Sequence, residues 1–120
     1  MTSELSRRIL SAGLDDWVPL TAVEGFARQL GSVSDGEVVA FGLQAIRDLA
    51  EEGLVVLGAV SDEGFVEWPE PIDESLARVE AAWRTLDRNE WGFTCWLNNT
   101  SRGDERARSF EAGAPFPPSG

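Results

Sequence analysis

A single α+β domain is the fold class this sequence predicts, and three observations carry the expectation. Apolar residues recur at helical spacing in four separate stretches, and β-branched and aromatic residues gather in a candidate hairpin over 54–68. A length of 120 residues is enough for one hydrophobic core and too short for two. The apolar share of 42% is that of a folding chain, so 1–111 is read as one domain. From 112 to 120, Pro115, Pro117 and Pro118 among small residues predict a flexible tail.

Leu5, Ile9 and Leu10 predict a first helix over 3–12, with Gly13 suited to a left-handed cap. Pro19 denies a ladder donor, so 17–20 reads as an edge strand or an extended connection. Thr21 and Glu24 have capping-box spacing for a second helix whose stripe is Val23, Phe26, Ala27 and Leu30, closed by Gly31. Ser34 and Glu37 repeat that signal before a third helix over 37–52, ended by Gly53. The strand-like 54–60 and 65–68, separated by Ser61-Asp62-Glu63-Gly64, read as a hairpin. Asp73 is placed as the cap of a fourth helix, and 91–98 reads as a further strand. The stripes of helices three and four predict one core of Leu43, Ile46, Leu49, Leu76, Val79, Trp83 and Leu86.

The order helix, short strand, helix, helix, hairpin resembles the winged-helix fold. The run Leu43-Gln44-Ala45-Ile46-Arg47-Asp48-Leu49-Ala50-Glu51-Glu52-Gly53-Leu54-Val55 is similar to the third helix and first wing strand of MarR-type regulators. The stretch Thr100-Ser101-Arg102-Gly103-Asp104-Glu105-Arg106-Ala107 resembles the Thr-x-x-Gly-x-x-x-Ala turn after a wing strand in such proteins. The resemblance implies architecture, about four helices with a hairpin and one more strand, and would make the chain a transcriptional regulator if function followed fold.

Charge points away from that function. With 21 acidic and 10 basic residues the chain carries a formal charge of −11. Between 48 and 77 it has nine acids and no base, where a DNA reader presents Arg or Lys to phosphates. Nucleic acid and anionic membranes are therefore disfavoured, and a basic protein is the expected partner. No apolar run reaches the roughly 20 residues that span a bilayer, the Met1-Thr2-Ser3-Glu4 start lacks the layout of a signal peptide, and Cys95 is the only cysteine. These features place the chain in the cytoplasm as an expectation.

Catalytic equipment is sparse. The sequence has no His, Tyr or Lys, which removes histidine-containing triads and zinc sites, phosphate-binding loops of the lysine type and Schiff-base chemistry. Cys95, between Thr94 and Trp96 in an apolar stretch, reads as a packed thiol. The adjacent carboxylates Glu51 and Glu52, or Asp62 and Glu63, leave open a metal-dependent enzyme, although neighbours on a helix diverge by about 100°. The leading expectation is a non-catalytic acidic module that binds a basic partner, as an immunity protein or antitoxin does, without a cofactor or metal. Its expected contact residues are Asp62, Glu63 and Glu67, with Trp68 and Trp96 as aromatic anchors.

Overall fold

The computed structural model describes residues 3–31, 34–85 and 87–112. Among them lie six helices and four strands, in the order α1 (Glu4–Gly13), β1 (Val18–Pro19), α2 (Leu20–Gln29), α3 (Asp35–Glu51), β2 (Val55–Ser61), β3 (Gly64–Glu67), α4 (Ile72–Thr85), α5 (Arg88–Trp91), β4 (Trp96–Asn99) and α6 (Ser101–Ala112). The α+β class holds, with more helices than the four expected. No helix of the described residues is long and apolar enough to cross a membrane. The Pro-rich stretch from 113 onward lies outside the described residues.

Local chemistry explains most boundaries. Ser3 caps α1 by accepting from the Ser6 amide at 3.1 Å. Ser34 and Glu37 form the reciprocal capping box of α3, which starts at Asp35 rather than 37. Gly31 and Gly53 end their helices with φ of 109° and 74°, a region costly for a side-chain-bearing residue. Three expected caps are corrected. Thr21 lies inside α2, which begins at Leu20 behind Pro19 and has no side-chain cap, and Glu24 instead pairs with Arg28 at 3.6 Å. Asp73 lies in the first turn of α4 rather than before it. Gly13 is helical, and its need for glycine is spatial, because a Cβ there would collide with the Asn99 side-chain amide. That amide donates to the Leu10 carbonyl at 2.9 Å and ties α1 to the sheet.

The sheet is wholly antiparallel, in the order β1-β4-β2-β3. The expected strand over 91–98 is corrected on this point: it begins with Trp91, the last residue of α5, and a turn over 92–94, and only Trp96–Asn99 pairs. β4 then inserts between β1 and β2, with Leu97 opposite both Val18 and Leu57. Val18, Leu97, Val55, Leu57 and Trp68 are buried on one face of the sheet, against α1, α2 and α3. The predicted core is there: Ile46, Leu49 and Val79 are fully buried, Leu76 and Trp83 nearly so, and Leu43 packs at its margin. Leu86 lies outside the described residues.

The Thr-x-x-Gly-x-x-x-Ala stretch has a structural account as the start of α6. The Thr100 hydroxyl donates to the Gly53 carbonyl at 2.7 Å and accepts from the Gly103 amide at 3.0 Å. A Cβ on Gly103 would strike the Leu54 carbonyl oxygen, and Ala107 is fully buried where α6 crosses α1. Small residues at these positions let α6 lie against the end of the β2–β4 ladder.

Two glycine substitutions should therefore move stability in opposite directions. Gly103→Ala should cost about 1–3 kcal/mol through the forced contact with Leu54. Gly25→Ala, inside α2 with open space around it, should add about 0.5–1 kcal/mol. Urea unfolding of both variants beside the parent checks the pair.

Candidate functional site

The opposite face of the sheet brings side chains with binding chemistry to solvent. Register places Pro19, Trp96, Gly58 and Glu67 in one row, and alternation puts Val56, Val60 and Phe65 on the same side. Apart from Gly58, none of these residues is buried. Phe65 lies over Gly58, where a Cβ would collide with its ring and with the Val66 carbonyl. Its ring also meets Trp17, just ahead of β1, at 6.1 Å between centroids. Phe93 is 57% exposed and packs at 5.8 Å against Trp96, which is half-buried. Two aromatic pairs thus mark this face.

The hairpin turn adds charge. Asp62 and Glu63 form the turn between β2 and β3, closed by Gly64 at φ 103°, and both are exposed. Glu67 stands exposed on β3. Among the described residues none of these three acids enters an ion pair, whereas Glu51, Glu52, Glu70 and Asp73 of the same run do. Arg47 holds Asp73 at 2.7 Å and Glu51 at 3.4 Å, Arg78 reaches Glu70 at 3.5 Å, and Arg106 reaches Glu52 at 3.9 Å. The hydrogen bond to Asp73 pushes the Arg47 guanidinium above its ordinary range, so it stays cationic.

The five expected contact residues separate into two groups. Asp62, Glu63, Glu67 and Trp96 reach the surface around the hairpin and outer face. Trp68 does not: it is 8% exposed, with the Arg78 guanidinium 4.0 Å above its ring and its amide donating to the Leu57 carbonyl at 2.9 Å. Its place is in the core, so little of its ring is left for a partner. The accessible aromatics that sequence reasoning did not select are Phe93, Phe65 and Trp17. Strand alternation from Gly64 to Glu67 was the available signal for Phe65; the α5 turn, invisible in the pattern, hid Phe93.

A separate cleft of about 550 Å³ opens between α2, α3, α4 and α5. Trp83 and Trp91 form its floor with centroids 5.2 Å apart, and Glu24, Arg28, Asp35 and Arg84 line it. These charges are largely spent on one another: Arg28 pairs with Glu24 and, at 2.7 Å, with Asp35, while Arg84 reaches Glu80 at 2.8 Å. Among the described residues no three His, Cys, Asp or Glu side chains converge in a way that would hold a metal ion. Cys95 is fully buried, its thiol beside the Trp96 carbonyl at 3.7 Å, and burial pushes its pKa up to about 12. Comparison with protein-family models, curated proteins and solved structures finds no match to this chain.

The Cys95 thiol should resist alkylation in the folded protein at pH 8 and react fully once urea unfolds the chain. Mass spectrometry before and after unfolding reads this directly. The same shift sets a sign for stability: the folded state keeps its proton while the unfolded thiol loses it near 9.0, so this contribution is intact below pH 9 and lost as pH climbs toward about 12.

Proposed function

We propose that this chain is a non-catalytic protein-binding module that captures a basic protein, in the manner of an immunity protein or antitoxin, within a reducing compartment. The observation that carries the reading is the pairing of Asp62, Glu63 and Glu67, none of which has an ion-pair partner among the described residues, with the open aromatic face of Trp96, Phe93 and Phe65. Uncompensated carboxylates steer a basic partner into encounter, and aromatic rings supply the area that slows its release. The carboxylate-metal alternative has less support, since Glu51 and Glu52 are each matched by a different arginine.

The winged-helix regulator is the second reading, favoured by the order α1, β1, α2, α3 and hairpin. Against DNA contact stands the use made of α3. Helix α4 lies along it, and Arg47, its one base, is already engaged by Asp73 and Glu51. A duplex laid there would meet carboxylates.

The test is affinity capture from the native host at low and high salt, followed by binding kinetics with the captured partner. Changing Asp62 to Asn and Glu63 to Gln should slow association mainly at low ionic strength. Trp96→Ala should speed dissociation by about tenfold or more. Unchanged rates for both variants would remove the hairpin and outer face from the interface. Fluorescence anisotropy should show no specific duplex binding at about 0.15 M salt, and a nanomolar operator complex would reverse the ranking of the two readings.

A further inference from the structure

We propose that the open edge of β3 receives an extended basic segment of the partner as an added strand, an inference that rests on the protein-binding reading above. β3 is the outermost strand on its side of the sheet. The Trp68 amide donates to the Leu57 carbonyl, which makes 57 and 68 a hydrogen-bonded pair. Alternation along an antiparallel ladder then turns the backbone groups of Gly64 and Val66 toward β2 and those of Phe65 and Glu67 outward. Among the described residues, no backbone group is bonded to these outward donors and acceptors. The Val66 side chain, 53% exposed, stands at the same edge.

Charge selects the occupant. A strand laid beside β3 runs past Glu67 and reaches the turn with Asp62 and Glu63, three carboxylates without ion-pair partners among the described residues. A second copy of this chain would bring the same three carboxylates against them and add the repulsion of a net charge of −11 on each molecule. A strand bearing Arg or Lys is attracted by the same groups. Side-chain alternation also sets its pattern, because Phe65 and Glu67 share the outer face. The added strand carries a basic residue beside Glu67 and an apolar one two positions away, beside Phe65.

The probe is a blocked peptide of two Arg-Thr-Val-Thr repeats, with Glu-Thr-Val-Thr repeats and an alanine-rich helical peptide of equal positive charge as controls. Amide exchange of the full chain is followed by NMR. The Arg-Thr-Val-Thr peptide should bind best and slow exchange at the Phe65 and Glu67 amides by about tenfold or more, leaving the already bonded Val66 amide little changed. Glu67→Gln, which keeps the outward N–H, should weaken binding in a salt-dependent way. Glu67→Pro, which removes that N–H and leaves the inward bonds, should weaken it by about a further tenfold. Circular dichroism checks the fold of the proline variant, and exchange in the parent chain carries the test independently of it. Equal binding of the helical peptide without protection at 65 and 67 would overturn strand addition and leave acidic capture standing. No preference for either basic peptide over the acidic one would overturn both. A dimer that protects the same amides in the absence of peptide would overturn the choice of occupant.

Discussion

Burial on only one face of the sheet governs the rest of this structure. Short antiparallel strands must hide at least one surface from water, and here α1, α2 and α3 supply the cover over Val18, Val55, Leu57 and Leu97. The later helices extend the helical part of the molecule: α4 lies along α3, and α6 lies along α1. The other face is left to Trp17, Phe65, Trp96 and Phe93, which cover one another as the pairs Trp17–Phe65 and Phe93–Trp96. That face is incompletely covered in the free chain, with Phe93 57% exposed.

Electrostatics follow a second division. Six of the arginines on the helices are engaged by carboxylates, some at one-turn spacing as in Arg8 with Glu4 and Arg84 with Glu80, others between elements as in Arg47 with Asp73. Exposed pairs of this kind contribute little to stability, yet they cancel field. Where no arginine reaches, around the hairpin turn, the negative potential survives. The hairpin acids Asp62, Glu63 and Glu67 are thus part of the acidic excess that no arginine offsets.

Strong periodicity, with a matching capping box at α3, made much of the helical half legible. The Ser34 and Glu37 box, the α3 stripe and its burial against α4 could all be read from spacing, because caps and stripes are local signals. The hairpin was equally plain from its β-branched residues and Gly64. What local signals do not carry is partner choice. Nothing in 91–99 announces a turn of helix followed by a strand that inserts between β1 and β2, and alternation alone suggested a longer strand. The burial of Trp68 was hidden for a related reason. A tryptophan at the end of a strand reads as exposed until Arg78, from a helix later in the chain, is laid over its ring. On the surface site, the acids were legible as charge, whereas Phe93 became visible only through the path of the chain.

The central place of β4 has a consequence for how the chain reaches its fold. β1 and β2 both precede β4 in the chain, so the strand that joins them is made after both. Until it arrives, each of the two presents an unpaired edge and the apolar face of the sheet is divided. Contacts that close over most of the chain length form slowly, since the intervening loop must first lose its freedom. A chain in which β4 has yet to pair would leave β1 and β2 unjoined, and the acidic charge of the hairpin disfavours association of such molecules.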